Sequence, residues 1–209
     1  RRGTVVISEN AGSRELYVVR KGWLHSSAVL GNGSRQIMRF HFQGDIIGLP
    51  LLAFADSPET VTAVTDVTLA PFSRERLAAL IGDHPRLGAL ILGLAVAERV
   101  TLADRLASIG RTPARARVGA LLCELFARMR RLGAEDEDGI HLPLTQEDIG
   151  DATGLTAVHV NRMMRGLADD GVIGRRNSHV RLLDEKRLIA ESNFIDRTGI
   201  ETGWLPQPR

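Results

Sequence analysis

Cysteine is nearly absent from the sequence, and apolar runs of membrane-spanning length are absent altogether. The 209 residues contain one cysteine, Cys123, so neither a disulfide framework nor a four-thiolate metal site can form within one chain. The longest apolar run, residues 87–97, is too short to cross a bilayer and has helical periodicity. No secretory signal opens the sequence, which begins Arg1-Arg2-Gly3 without a methionine. We expect a cytoplasmic protein without a membrane span, whose N-terminal segment is incomplete.

A large excess of charge of one sign is also lacking. The chain has 27 lysine and arginine residues against 25 aspartate and glutamate residues, a formal net charge of +2. All the basic residues except Lys21 and Lys186 are arginines. An argument for nucleic-acid binding must therefore come from where the arginines lie. The length of 209 residues allows one large domain or two small ones.

Motifs of common enzyme classes are missing as well. The sequence has no nucleophile elbow, phosphate loop, HExxH motif or Rossmann fingerprint, so we predict that the protein is not an enzyme. The acidic run at residues 135–139 lacks the alternating oxygen ligands and distal glutamate of a calcium loop. It predicts a solvated loop, and we expect no metal site and no cofactor.

The first third of the sequence predicts β-strands. Residues 14–20 and 36–42 are rich in β-branched and aromatic residues, with a Gly31-Asn32-Gly33 turn between them. Val61 to Leu69 alternates as a half-buried strand does. Short strands with regular turns and no helix among them predict a β-barrel or jelly roll.

Helices are predicted from Ser73 onwards. Ser73 is expected to cap a short helix through Ile81, and a longer helix begins at Asp83 or His84. Gly110 is expected to end that helix. The next helix is expected to have Thr112 as its N-cap and Pro113 at its first position, and to close at Gly133. Its predicted inner face contains Val118, Leu121, Leu122, Leu125 and Met129.

The long helix carries two apolar stripes. The first contains Leu87, Ile91, Leu94, Leu102, Leu106 and Ile109, and the second contains Val96, Val100 and Ala103. Two apolar faces exceed what contact with one small barrel requires, so we predict that one face meets a partner. The alternative is that both stripes are buried within one subunit.

Residues 144–173 hold the most informative pattern. Thr145 caps a helix, and Asp148 three residues later completes a capping box. Gly154 lies where the chain must turn sharply, and Thr156 caps a second helix. The inner face of the second helix contains Val160, Met164 and Leu167. Together these features predict a helix-turn-helix, whose second helix enters the major groove of DNA.

Two further sets of residues extend this prediction. The exposed N-terminal face of the second helix contains Ala157, Val158, His159, Asn161 and Arg162. Beyond Gly171, residues 172–176 and 179–183 predict the two strands of a wing. Three arginines on the wing suit phosphate contacts: Arg175, Arg176 and Arg181.

With these motifs, nearly the whole chain resembles the Crp/Fnr family of bacterial transcription regulators. The resemblance is carried by the segments LYVVRKG, RFHFQGDIIG and TPARARVGALLCEL, the long helix and the helix-turn-helix. It implies an α+β fold with a jelly-roll sensor barrel like a cyclic-nucleotide-binding domain over 1–82, a dimerisation helix over 83–110 and a winged helix-turn-helix domain over 111–209. The first apolar stripe of the long helix, from Leu87 to Ile109, is expected to form the dimer surface. It also implies a homodimer on a roughly palindromic operator of double-stranded DNA, with RNA polymerase as a further partner and an effector that the sequence does not identify.

The barrel departs from the cyclic-nucleotide-binding members of the family. The positions that resemble their ribose glutamate and phosphate-binding Arg-Ser pair hold Leu49, Glu59 and Thr60. Leucine cannot accept a hydrogen bond, and a carboxylate repels a phosphate. Leu102 and Ala103 replace the hydroxyl residues that would touch adenine. We therefore expect no dependence on a cyclic nucleotide, and keep a cyclic-nucleotide- or haem-responsive sensor as the alternative.

For iron–sulfur, thiol or haem sensing, the sequence offers one cysteine and a few separate histidines. The iron–sulfur branch of the family needs several cysteines, one of them in the barrel, whereas this chain has only Cys123, placed on or beside a buried helix face. We predict a structural thiol there, with a redox sensor as the alternative. Haem ligation remains open for His25, His41 or His84.

The recognition helix departs from the best-known members of the family, which place Arg-Glu, or Glu with a downstream Arg, at its start, whereas this chain has Ala157, Val158 and His159 there. Arg162 is predicted to pair with guanine, and Ala157 and Val158 to pack on thymine methyls. His159 contacts a base or a phosphate, or only positions the helix. Thr145, Gln146 and Thr156 match phosphate-contacting positions of the family, and Asn161, Arg165, Arg175 and Arg176 complete the predicted set. The half-site is expected to differ from TGTGA and TTGAT.

Overall fold

The computed structural model describes residues 1–13, 15–197, 199 and 201–206. These residues form two compact units. The first contains residues 1–96 and the described residues from 201 onwards, and the second contains the described residues of 97–200. Among the described residues, no helix combines the length and apolar character needed to cross a bilayer.

The first unit is built on two antiparallel sheets. Its strands are β1 (Val5–Ile7), β2 (Glu15–Lys21), β3 (Leu24–Val29), β4 (Arg35–His41), β5 (Ile46–Ile47), β6 (Thr60–Ala63) and β7 (Thr68–Ser73). One sheet has the order β1-β6-β3-β4 and the other β5-β2-β7. Both sheets contribute to one apolar core, which includes Ile7, Val19, Leu24, Ile47, Leu51 and Val61. The expected jelly-roll type of domain is confirmed as a two-sheet structure.

Two predictions for the region of the strands are wrong, and one predicted residue lies outside the described residues. The strand expected over 61–69 is two strands, because the backbone N–H groups of Val64 and Thr65 donate to the Trp23 carbonyl and turn the chain. A short 3₁₀ helix, Leu49–Leu52, interrupts a region expected to contain no helix, with Pro50 in its first turn. The start of the first expected strand, Arg14, lies outside the described residues.

Two helices follow the sheets. Helix α1 (Arg74–Asp83) begins as predicted, because the Ser73 hydroxyl accepts a hydrogen bond from the Arg76 backbone N–H at 3.2 Å. Helix α2 (Pro85–Arg111) begins one or two residues later than expected and runs through Gly110, which was expected to end it. Thr112 does not cap the next helix, since its hydroxyl donates to the Ser108 carbonyl at 2.8 Å and so satisfies the end of α2.

Helix α2 exposes much of its apolar surface. None of its 27 residues, all of them described, is buried. An exposed apolar stripe recurs at alternating steps of four and three residues and contains Leu92, Val96, Ala103 and Leu106, with Arg99 among them. Leu94 and Leu102 are also exposed, whereas Leu87, Ile91 and Ile109 are half-buried. The exposed stripe therefore takes members from both predicted stripes and adds Leu92.

The second unit joins helices to a small sheet. It contains α3 (Ala114–Arg131), β8 (Glu135–Asp136), β9 (Gly139–His141), α4 (Gln146–Thr153), α5 (Ala157–Asp169), β10 (Ile173–Arg176), β11 (His179–Leu182) and α6 (Glu185–Ser192). The sheet order is β10-β11-β9-β8. Helix α3 contacts α4, α5 and α6, and its predicted inner face is buried as expected. Its N-cap is Pro113, one residue later than predicted.

The prediction for the acidic segment after α3 is wrong. Residues 135–139 were expected to form a solvated loop, but β8 and β9 pair here as an antiparallel hairpin. Gly139 makes the hairpin possible, since its φ of 98° is one that glycine adopts without strain. A Cβ at this position would also lie 2.1 Å from the Val180 carbonyl oxygen.

Candidate nucleic-acid interface

The start of α4 is fixed by a reciprocal cap. The Thr145 hydroxyl accepts a hydrogen bond from the Asp148 backbone N–H at 3.0 Å, and the Thr145 N–H donates to Asp148 Oδ2 at 3.0 Å. This capping box satisfies two backbone donors at the helix N-terminus, as predicted. At the other end Gly154 has a φ of 66°, which confirms the predicted sharp turn.

The turn between α4 and α5 depends on a close backbone approach that the sequence did not reveal. The Leu155 backbone N–H donates to the Gly150 carbonyl at 2.9 Å. A Cβ at Gly150 would lie only 2.4 Å from the Leu155 carbonyl oxygen, so a side chain does not fit there. Arg117 supports the same turn, because its Nη1 donates to the Thr153 carbonyl at 2.9 Å. In the sequence, this close approach is indicated only by the presence of a glycine, Gly150, in the middle of a short helix.

Helix α5 is positioned by its cap and its inner face. The Thr156 hydroxyl accepts a hydrogen bond from the His159 backbone N–H, and His159 Nδ1 lies 3.2 Å from the same oxygen. The His159 ring is therefore held against the first turn. Val160, Met164 and Leu167 are buried, as predicted. The cap and these three anchors fix which side of α5 faces outwards.

The outward face of α5 borders an open depression of about 770 Å³. Six predicted residues line it: Gln146, Ala157, Val158, Asn161, Arg162 and Arg165. Gly166 and Asp169 also line it and were not predicted. Val158, Arg162 and Arg165 are exposed, and Asn161 is half-buried. The structure thus brings together base-reading and backbone-contacting candidates from both helices.

Gln146 contributes a polar atom without an internal partner. Its Oε1 is buried and has no hydrogen-bond donor among the described residues. A buried amide oxygen without a donor is costly, so this atom favours an occupant that brings one. Amino groups of bases and bridging water can both donate to it.

Charged groups that the sequence did not reveal anchor the C-terminal end of α5. Arg115 Nη1 lies 2.8 Å from Asp170 Oδ2, and Arg115 Nε donates to Glu191 Oε2 at 2.9 Å. Arg187 Nε also donates to Glu191, at 2.7 Å. The hydrogen bond from Arg115, followed by that from Arg187, lowers the pKa of Glu191. These contacts join α3 and α6 to the residue that follows α5.

The wing is formed as predicted. Strands β10 and β11 pair in antiparallel register from Ile173↔Leu182 to Arg176↔His179, and Asn177 between them has a φ of 54°. Arg175, Arg176 and Arg181 are exposed. These three arginines lie on the hairpin rather than among the residues that line the depression.

The barrel positions that correspond to nucleotide contacts in cyclic-nucleotide-binding proteins serve other purposes in this chain. Leu49 is half-buried in the 3₁₀ helix. The Thr60 hydroxyl accepts a hydrogen bond from the Glu9 backbone N–H at 3.1 Å, and the Ser57 hydroxyl donates to the Glu59 carbonyl at 2.7 Å. The core between the sheets is apolar.

The histidines considered for haem do not converge. His25 and His41 are buried on neighbouring strands, and their Nε2 atoms contact Arg35 Nη1 at 3.4 Å and Ser26 Oγ at 2.6 Å. His84 is exposed just after α1. Each buried ring therefore has a protein partner at its Nε2 nitrogen.

Cys123 behaves as a structural thiol. It is buried in α3, and its Sγ lies 3.9 Å from the Ser192 hydroxyl. Burial raises the pKa of the thiol to about 11, with the Ser192 hydrogen bond acting in the opposite direction. The group is therefore protonated and shielded at neutral pH, which favours the structural interpretation over a redox sensor.

Comparison with known proteins gives consistent matches along the chain. Residues 1–84 match the model of the cyclic nucleotide-binding domain, and residues 116–191 match that of the Crp-like helix-turn-helix domain. The nitrogen fixation regulation protein FixK of Bradyrhizobium diazoefficiens is 31% identical over 90% of this chain and 78% of that protein. The fumarate and nitrate reduction regulatory protein of Vibrio cholerae is 24% identical over 84% and 70% of the two chains.

A solved structure agrees with these matches. The structure of FixK2 from Bradyrhizobium japonicum superimposes with a TM-score of 0.81 at 26% identity, covering 91% of this chain and 93% of that one. The similarity therefore extends over both units of the chain.

Proposed function

We propose that this chain, which belongs to the Crp/Fnr family of DNA-binding transcription regulators, places one α5 helix in the major groove of each half of a roughly palindromic operator. Members of the family bind DNA as dimers, and two-fold symmetry presents two recognition helices about one DNA turn apart. The observation that carries the proposal is the depression beside α5, where exposed arginines and an unpartnered amide oxygen lie together.

Arg162 is our candidate for reading guanine. It is exposed on the outward face of α5, one turn beyond the capped N-terminus. A bidentate contact from arginine to guanine is worth about 1–3 kcal/mol of discrimination. Asn161 and Arg165 flank it on the same depression. His159, held by Thr156, is positioned to contact a base or a phosphate.

The remaining predicted residues position the helix on the DNA backbone. Thr145 and Thr156 cap the two helices, and Gln146 begins α4. Helix N-termini and hydroxyl groups are common phosphate contacts. The exposed wing residues Arg175 and Arg176 add positive charge on a separate hairpin. Such contacts raise affinity for any sequence and make it depend on salt.

Dimerisation is proposed to occur through α2. The exposed stripe with Leu92 and Leu106 has the heptad spacing of a two-helix seam. Leu94 and Leu102, predicted members of the dimer surface, are exposed as well. The other predicted members, Leu87, Ile91 and Ile109, are half-buried within the chain and are proposed to support the seam rather than to form its centre.

The assignment of roles along the chain follows the sequence prediction. We assign sensing to residues 1–82, dimerisation to 83–110 and DNA binding to 111–209. A signal in the first of these segments is proposed to change α2 packing and so shift the dimer towards its DNA-binding state. We propose that the signal is not a cyclic nucleotide, since Leu49 has no polar side-chain group and the Thr60 hydroxyl already accepts a hydrogen bond from the Glu9 backbone N–H. Promoter binding in the cytoplasm would bring the dimer to RNA polymerase.

Selection from a random DNA pool tests the proposal. Purified protein should enrich duplexes with two inverted half-sites, each containing a guanine, that bind more tightly than scrambled competitor. The selection is run with and without cell extract, because dependence on extract would reveal an effector. Failure to enrich any duplex in either condition would overturn the proposal.

A further inference from the structure

We propose that Val158 reads the 5-methyl group of a thymine in each half-site. The inference rests on the proposed function and deepens it, since it names the base that faces the first turn of α5. In this view the base pair opposite Val158 must present a methyl group in the major groove. A thymine satisfies that requirement, and a 5-methylcytosine in its place satisfies it as well.

The exposure of Val158 is the first observation. With 80% of its surface accessible, it is more exposed than any other large hydrophobic residue that the structure describes. It is the second residue of α5, directly after Ala157 and the Thr156 cap. An apolar side chain this exposed on a helix tip contributes little to folding and is available for contact with a ligand of the depression.

The rigidity of the first turn is the second observation. Thr156 fixes the start of α5 through the His159 backbone N–H, and the His159 ring is drawn to the same hydroxyl. Valine has a strongly preferred rotamer in a helix, so its methyl groups are already placed before binding. Contact with a base edge therefore costs little conformational entropy.

The chemistry of the groove selects the partner. Valine can neither donate nor accept a hydrogen bond, and pressing it on a polar base edge would leave a buried group unsatisfied. Among the major-groove edges, only thymine presents a methyl group. The first turn of α5 is thus apolar at Ala157 and Val158, while Arg162 one turn later is suited to guanine.

The charges around Val158 favour DNA over an apolar protein partner. Val158 lines the same depression as Gln146, Arg162 and Arg165. Two exposed guanidinium groups beside a valine suit a polyanion with an apolar feature, which is what a thymine in duplex DNA offers.

Replacement of thymine by deoxyuridine tests the inference. In the selected duplex, each thymine is changed singly to deoxyuridine, which removes only the methyl group. We expect one sensitive thymine per half-site, with affinity reduced about fourfold per half-site and about fifteenfold when both are changed. Restoring the methyl as 5-methylcytosine, paired with guanine, should bind more tightly than cytosine at that position.

Two variants supply the controls. Val158→Ala should bind the thymine and deoxyuridine duplexes with nearly equal affinity, because the contacting methyl groups are gone. Arg162→Ala should bind more weakly but keep the full preference for thymine. Val158→Ser, which leaves no methyl group at this position, should lose the preference at least as completely as Val158→Ala. All three substitutions lie on the exposed face of a capped helix, so circular dichroism should show unchanged folding.

The outcomes separate this inference from the proposed function. A selected duplex with no sensitive thymine, or sensitivity that persists in full in Val158→Ser, overturns the inference and leaves DNA binding intact. If no duplex is selected, the proposed function fails and the inference fails with it.

Discussion

The two units of the chain differ at the positions considered for ligand binding. In the first unit, the hydroxyl groups of Ser57 and Thr60 bond to neighbouring backbone, and the core cluster consists of apolar side chains. In the second unit, Arg162 and Arg165 are exposed beside a depression, and Gln146 Oε1 has no described donor. At these positions the first unit satisfies its own polar groups, whereas the second leaves exposed guanidinium groups and an unpartnered acceptor, as the proposed DNA contact requires.

The largest expected effect comes from α2, which runs from one unit into the other. Leu106→Glu would place two carboxylates in the proposed dimer seam, so we expect the dimer dissociation constant to rise more than 100-fold. Sedimentation equilibrium measures this change directly. Leu132→Glu is the matched control, since Leu132 is also exposed but lies outside α2. A Leu106→Glu protein that stays dimeric would show that the exposed stripe is not the seam.

The close approach of α4 and α5 gives the next effect. Gly150→Ala should destabilise the second unit by about 2–3 kcal/mol, because its Cβ would lie 2.4 Å from the Leu155 carbonyl oxygen. Urea unfolding, followed by signals from each unit, should show the loss in the second unit alone. Gly82→Ala in α1 is the control. It has open space around it and should be neutral or stabilising by about 0.5–1 kcal/mol. Equal effects of the two substitutions would contradict the packing argument.

The N-cap residues of one helix in each unit allow the effects on stability and on DNA binding to be compared. Ser73→Ala and Thr156→Ala each remove an N-cap hydrogen bond, and each should cost about 1 kcal/mol of stability. Only Thr156→Ala should also weaken DNA binding, since Thr156 orders the first turn of α5. Thermal unfolding and fluorescence anisotropy with the selected duplex measure the two effects. A similar loss of DNA affinity in both variants would remove the distinction between the units.

The smallest effect concerns the charged contacts behind α5. Because Arg115 lowers the pKa of Glu191, this carboxylate stabilises the fold at pH values above the unfolded-state pKa of about 4.3, and the contribution is lost as pH falls through the folded-state pKa. Glu191→Gln should therefore cost about 0.5–1 kcal/mol at neutral pH and nothing at strongly acidic pH. Glu137→Gln, at an exposed position, should be neutral throughout. A Glu191→Gln deficit that does not depend on pH would contradict this assignment.

The sequence predicted the helix-turn-helix well because its signals are local. Thr145 and Asp148 are one turn apart, and Gly154 and Thr156 mark the turn and the second cap within two residues. Their hydrogen bonds depend on neighbours along the chain. Local patterns of this kind also predicted the Ser73 cap and the two wing strands.

Contacts between distant residues explain what the sequence did not predict. The Arg115–Glu191 pair joins positions 76 residues apart, and no spacing pattern signals it. The strand expected over 61–69 divides because Val64 and Thr65 bond to Trp23, some forty residues earlier. The two apolar stripes of α2 were predicted from helical periodicity alone. Which of their side chains are exposed depends on the other parts of the chain that pack against the helix.

Major-groove readout by α5 can be tested directly on the bases themselves. The most direct measurement replaces each guanine of the selected duplex with 7-deazaguanine, which removes one acceptor from the major groove and leaves base pairing intact. We predict that one guanine per half-site becomes sensitive, with affinity about tenfold lower, and that Arg162→Ala abolishes this sensitivity. Equal binding of the substituted and unsubstituted duplexes, or unchanged sensitivity in Arg162→Ala, would contradict it.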